Sequence, residues 1–263
     1  MKRLAPLLLT LTLFAVPLSM SGWQVAEAQS AKKEKPSKPK TVRSEVLGKN
    51  AFNRIEEAQV LLGEEKYAES LEVLQSMLDS DRFKPYEKAV AIQTMGYVYA
   101  GQGDYPKTIA TFERAIATGD LPARVVNSLS YNLAQLNLAE DRPEKAIELL
   151  DKWFADFEGD PPAEAFALKA QAHLSLDQFS PAEDAIRNAL SRTEEPKQQW
   201  IRVLLSVLLQ QERYKEAQPV LVDAVERWPG VKAFWQHLTS VYYELNDEKL
   251  AFVAQRAMHV QGM

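Results

Sequence analysis

No cysteine occurs anywhere in the 263 residues. That removes disulfide frameworks, thiolate metal sites and cysteine nucleophiles together. It also removes lipid attachment through an N-terminal cysteine. A chain without thiols suits an oxidising compartment. Histidine is nearly as scarce: His173, His237 and His259 are the only three. They form no His-x-x-x-His pair, which argues against a zinc hydrolase. Each is expected at a helix surface or a packing position. With 10 glycines and 14 prolines, collagen-like and low-complexity readings fail. Gly101-Gln102-Gly103 lacks a third glycine and a preceding strand, so it reads as a helix-to-helix turn and not as a phosphate loop. No Gly-x-Ser-x-Gly elbow exists, and no carboxylate pair sits where its surroundings would separate an acid from a base. The expectation is a chain with no catalytic residues, no cofactor and no metal, which is not an enzyme.

Of what is present, 46% is hydrophobic and 25% charged, enough apolar material for one sizeable core. Residues 1–28 read as a secretory signal. Lys2 and Arg3 form its charged start, Leu4 to Met20 its apolar stretch, and Ala26-Glu27-Ala28 a small-x-small cleavage site. Cleavage is expected after Ala28. The competing reading is an uncleaved anchor helix, against which stand Pro6, Pro17 and an apolar run marginal for a bilayer. No later segment is long and apolar enough to span a membrane, so the mature form is expected to have no transmembrane segment.

Charge is unevenly spread. Residues 29–46 carry Lys32, Lys33, Lys35, Lys38, Lys40 and Arg43 against Glu34 and Glu45, with Pro36 and Pro39 between them. This basic arm has too little apolar surface to offset its ordering entropy and is expected to be disordered. It could touch anionic lipid, an acidic partner or its own body, or act as a solubilising tether. Residues 47–263 hold 23 basic and 33 acidic residues, a net charge of about −10. That balance disfavours nucleic acid as a partner of the folded part.

The strongest signal is an internal period. Turn motifs recur between apolar stretches: Glu64-Glu65-Lys66-Tyr67, Gly103-Asp104-Tyr105-Pro106, Asp141-Arg142-Pro143-Glu144, Asp177-Gln178-Phe179-Ser180, Glu212-Arg213-Tyr214-Lys215 and Asn246-Asp247-Glu248-Lys249. Beyond each comes a small residue: Ser70, Thr108, Ala146, Ala182, Ala217 and Ala251. In each preceding helix Ala58, Gly96, Ala134 and Ala170 mark a close crossing, where a missing side chain lets two helices approach. Leu205 and Thr239 depart from that pattern, and Asn137 and His173 fall where a large apolar residue is expected. Phe112/Ala115, Ile186/Ala189 and Leu221/Ala224 supply the packing face of the second helices. Prolines 106, 143 and 181 belong to helix starts, with Asp104 and Asp141 expected as caps.

Each unit resembles the tetratricopeptide repeat (TPR). The resemblance covers residues 50–260 and implies an all-α fold, a right-handed superhelical solenoid of about six helix–turn–helix repeats spanning 47–263. It also implies that the first helix of each pair lines a concave face. On that face lie Gln59, Gln93, Tyr97, Tyr131, Asn132, Gln135, Gln171, Arg202, Ser206, Gln236, Ser240 and Tyr243. Amides and phenols dominate this row, and amide side chains both donate to and accept from an extended backbone. It suits an extended peptide or a partner helix, or is simply solvated helix surface. The basic clamp that some relatives use for acidic C-terminal tails is missing.

Three stretches, Tyr86–Ala89 with Gly96–Tyr99, Ser128–Leu136, and Phe234–Leu238 with Val241–Glu244, are similar to exported TPR proteins encoded beside TonB–ExbB–ExbD genes in Gram-negative bacteria. That resemblance implies a periplasmic helper of TonB-dependent uptake. The alternative is a peptidoglycan- or glycan-binding envelope protein using exposed tryptophans, though Trp153, Trp200, Trp228 and Trp235 read first as packing anchors. The last helix carries Leu250, Phe252, Val253, Met258 and Val260 around its circumference. No polar cap follows it, so a homodimer or partner contact is expected there.

Overall fold

The computed structural model describes residues 46–260 and 262; the expected secretory signal and the expected basic arm up to residue 45 lie outside the described residues. These fall into two compact units, one ending at Leu121 and the other beginning at Pro122. The first holds α1 (Lys49–Gly63), α2 (Tyr67–Leu78), α3 (Pro85–Gly101) and α4 (Tyr105–Ala117). The second holds α5 (Ala123–Ala139), α6 (Pro143–Asp156), α7 (Ala163–Ser175), α8 (Phe179–Leu190), α9 (Gln198–Gln210), α10 (Tyr214–Arg227), α11 (Lys232–Glu244) and α12 (Glu248–Val260). The described residues contain no strand. Each odd-numbered helix packs on the next even-numbered one, giving six pairs.

One device makes all six pair turns. The residue after the first helix's cap takes a left-handed backbone: Glu65 (φ 60°), Gly103 (φ 73°), Asp141 (φ 58°), Asp177 (φ 55°), Glu212 (φ 56°) and Asn246 (φ 59°). The following amide then reaches back five residues. Lys66 donates to the Leu61 carbonyl at 2.8 Å, Asp104 to Tyr99 at 3.0 Å, and Arg142 to Asn137 at 2.8 Å. Gln178 to His173, Arg213 to Leu208 and Asp247 to Tyr242 repeat the bond. This is the Schellman closure, which satisfies the last carbonyls of a helix. Asp141 is therefore not the cap expected of it. It occupies the left-handed position, Arg142 precedes α6, and no side chain caps that helix. Asp104 does cap α4, accepting from the Lys107 amide at 3.1 Å, and Asp247 caps α12 in the same way through Leu250.

Glutamate gains nothing from a positive φ, and for an ordinary L-residue that conformation costs about 1–2 kcal/mol. Glycine relieves the strain but loses some of the gain to unfolded-state entropy. Glu65→Gly and Glu212→Gly are each expected to stabilise by about 0.5–1 kcal/mol. Gly103→Ala is expected to destabilise, because space around Gly103 is open and only its backbone resists a side chain. Thermal or urea melts of the three variants check the signs.

The small residues of the second helices, Ser70, Thr108, Ala146, Ala182, Ala217 and Ala251, are all fully buried. So are Ala58, Gly96, Ala134 and Ala170 in the first helices. The sequence period thus maps directly onto helix crossings. The exceptions carry their own partners. Buried Asn137 donates to the Leu133 carbonyl at 2.8 Å, and the ring Nδ1 of buried His173 lies 2.7 Å from Gln178 Oε1, tying α7 to its turn. Thr239 donates to the Trp235 carbonyl. In the second unit Arg213, just before α10, bridges Glu183 of α8 and Glu216 of α10. Its hydrogen bonds to Glu216 and then Glu183 hold its guanidinium above the ordinary range.

Candidate interaction surface

At two steps the first helices of successive pairs touch one another where the second helices do not. In the first unit α1 contacts α3, and in the second α7 contacts α9, whereas no comparable contact joins α2 to α4 or α8 to α10. At those two steps the first helices lie on the inside of the local curve, whereas α5 and α7, and α9 and α11, make no comparable contact. The residues expected to bind sit on the first helices.

In the first unit Gln59 is exposed, and Gln93 and Tyr97 are half-buried. The Tyr97 ring stands edge-on to Phe112 with centroids 5.1 Å apart, which fixes its direction. In the second unit Tyr131, Gln135, Gln171, Arg202 and Ser206 are half-buried, and Gln236, Ser240 and Tyr243 are exposed. Asn132 is buried. Roughly 100° of helix rotation separates neighbours, so one step from Tyr131 turns a side chain from the surface into the core. Tyr131 leans on Trp153, with centroids 5.3 Å apart. Burial, and secondarily the nearby Glu164, pushes its phenol up to about 12. It therefore keeps its proton at any physiological pH and can donate.

Arg202 has no carboxylate partner among the described residues. Its guanidinium lies over the Phe234 ring at 5.3 Å. Burial, and then the Arg202 charge, holds His237 below the usual imidazole range. The unfolded chain binds that proton more readily than the folded one. This site therefore costs stability as pH falls below the ordinary imidazole value of 6.5. By contrast Lys169 pairs with Asp151 and Lys197 with Glu164. An anionic group arriving beside Arg202 would meet an uncompensated cation.

Two further residues border this row without a signature in the sequence. Leu174 and Leu209 occupy, on α7 and α9, the register that Tyr243 occupies on α11, and both are half-buried. They give the amide row an apolar border. As leucines at helical spacing they are indistinguishable from core until exposure is known.

Trp153 and Trp200 are buried, and Trp228 and Trp235 half-buried. The Trp235 indole N–H donates to the Pro229 carbonyl at 2.8 Å. On α12, Phe252, Val253 and Val260 are well exposed and Leu250 marginally so, while Met258 is half-buried. No helix among the described residues is long and apolar enough to cross a membrane, and no group of three metal-ligating side chains occurs among them.

Residues 94–161 match the tetratricopeptide-repeat family model. No curated protein matches the sequence. Among solved structures, the chain is similar to a tetratricopeptide-repeat protein from Parabacteroides merdae. The TM-score is 0.61 at 14% identity, covering 81% of this chain and 80% of that one. It is similar to YrrB, described as a TPR protein with an unusual peptide-binding site, with TM-score 0.55, 13% identity, and 66% and 87% of the two chains covered. It is also similar to MamA from Desulfovibrio magneticus, with TM-score 0.58, 18% identity, and 71% and 99% covered. The chain has the tetratricopeptide-repeat fold, with six helical pairs among the described residues, and its residues 94–161 match that repeat's family model.

Proposed function

We propose that this chain is a non-enzymatic protein-interaction scaffold of the cell envelope, which holds an extended peptide or a partner helix along the first helices of its second unit. The observation that carries the reading is the accessible row of Tyr131, Gln135, Gln171, Ser206, Ser240 and Tyr243 beside Arg202, which has no carboxylate partner among the described residues. A peptide backbone presents alternating donors and acceptors, and amides answer both. Tyrosines add apolar area with a polar tip. Arg202 selects a segment with an acidic residue or a free carboxylate at that point. The peptide-binding site named for YrrB supports the reading, since that protein shares the fold.

The secretory signal at residues 1–28 supports a periplasmic location. The similarity of Ser128–Leu136 and its companion stretches to TonB-associated repeat proteins supports a role in TonB-dependent uptake. Peptidoglycan or glycan binding is less well supported. It needs exposed indole faces, and two of the four tryptophans of the described residues are buried. The exposed apolar row of α12 is the surface proposed for self-association. A photo-crosslinking residue at Phe252 should give a band of twice the chain's mass, and a monomer band alone would dismiss it.

Display selection of short peptides on the chain supplies a defined ligand. Against it, the variant combining Tyr131→Phe, Gln135→Ala and Gln171→Ala should bind at least about tenfold more weakly. Three lost hydrogen bonds at about 0.5–1.5 kcal/mol each predict that much. Melting should be unchanged, because the rings stay packed. Equal affinity for variant and parent would place binding on another surface.

A further inference from the structure

The outer face of α1 is where a preceding repeat would pack if there were one. Glu56, Glu57 and Val60 stand one repeat, 38 residues, before Thr94, Met95 and Val98 of α3. In α3 those positions are buried against the pair before them. In α1 they are exposed. With Leu61 they form one wall of a groove of about 600 Å³, whose other wall is Glu69, Glu72 and Val73 of α2. Val60 is 55% exposed within it. Arg54 neutralises Glu57, while Glu56, Glu69 and Glu72 have no ion pair among the described residues.

An end repeat needs a polar outer surface for solubility. Charge of either sign would serve that purpose, and an open valine would not. This face instead combines acid of one sign with an exposed apolar residue. The complementary sequence lies in the same chain. Lys32, Lys33, Lys35, Lys38, Lys40 and Arg43 precede α1, outside the described residues, and Arg43 lies only six positions before Lys49.

We propose that the Lys32–Arg43 stretch folds back onto its own first repeat and occupies the α1–α2 groove, lysines against Glu56, Glu69 and Glu72 and aliphatic stems over Val60. Reach allows it. Six extended residues cover about 20 Å, and α1 rises about 16 Å from Lys49 to Val60 at roughly 1.5 Å per residue. A tether this short keeps the arm at about millimolar effective concentration, so contacts too weak between separate molecules close within one. Lysine stems laid on apolar surface keep their ammonium groups in water. The arm thus completes the end of the repeat array and is not available to lipid or an acidic partner until it is displaced.

The chain's lack of cysteine makes the test direct. Spin labels are placed at Ser37→Cys and Ser76→Cys in the chain beginning at Gln29, and the distance between them is measured by electron paramagnetic resonance. At 0.1 M salt, where screening acts over about 10 Å, one narrow short distance is expected. It should broaden at 1 M salt, where screening acts over about 3 Å. It should also broaden at 0.1 M salt when Glu56, Glu69 and Glu72 are all changed to Gln, with helix content unaltered. A broad distribution insensitive to salt and to the three changes would overturn the proposal. So would a narrow distance that vanishes on tenfold dilution into unlabelled chain, since the arm would then lie on a second copy.

Discussion

Gly96→Ala should destabilise the first unit, although alanine is the better helix former. A Cβ built at Gly96 lies 2.4 Å from both Cδ1 and Cε1 of Phe112. Phe112 is fully buried and held edge-on by Tyr97, so its packed ring must shift to admit the new methyl group. Overpacking of this kind costs about 1–3 kcal/mol, against a helix-propensity gain of about 1 kcal/mol. The informative control is Gly63→Ala. Gly63 is also helical, but a Cβ there meets nothing within 4 Å, so only the propensity term acts and stability should rise. Opposite signs for the same chemical change separate crossing geometry from propensity. Adding Phe112→Leu to Gly96→Ala should recover part of the loss. Denaturant melts of the four proteins check the set.

Glu87→Gln should loosen α1 in particular. Glu87 is buried, and its two carboxylate oxygens accept from two amides: Oε1 from Gly48 at 2.9 Å and Oε2 from Lys84 at 2.8 Å. The second bond closes the start of α3, and the first ties in the chain just before α1. Glutamine has one acceptor oxygen, so one buried amide would face another N–H group. Leaving such a donor unsatisfied costs about 1–3 kcal/mol. The loss should be local, because the Gly48 bond spans 39 residues of sequence and holds one helix end. Hydrogen exchange should rise across α1 and stay unchanged in α5 to α12. Uniform acceleration through both units would mean that Glu87 supports the whole array.

These two positions differ in how much of their role the sequence carries. Gly96 falls in phase with Ala58, Ala134 and Ala170, and the period alone marks it as a crossing. The same holds for the six turns and the buried small residues after them, because each is a local pattern repeated at a fixed interval. Glu87 has no such signature. Its partner Gly48 comes from another repeat, and nothing local distinguishes an acceptor of two amides from an ordinary helix-surface glutamate. Asp141 departs from its expected capping role for a related reason. Aspartate before a proline suits both a cap and a left-handed turn, and the Arg142–Asn137 hydrogen bond, which closes α5, decides for the turn. Pro219 inside α10 was unread as well. It is exposed, where the unbonded Lys215 carbonyl can turn to water.

Of the candidate surface, the sequence conveys the polarity of each residue and its register, which place Gln135, Gln171, Ser206 and Ser240 on one layer. Exposure depends on how the helices rotate against each other. That rotation buries Asn132, leaves Leu174 and Leu209 at the border, and leaves Arg202 without a carboxylate partner among the described residues.

Partners are expected along the first helices of the second unit. A photo-crosslinking amino acid placed at Gln171 on α7, at Ser206 on α9, or at Asn188 on the exposed side of α8 tests this in intact cells. Crosslinked partner should form from Gln171 and Ser206, and none from Asn188. Crosslinking from Asn188 with none at the other two would contradict it.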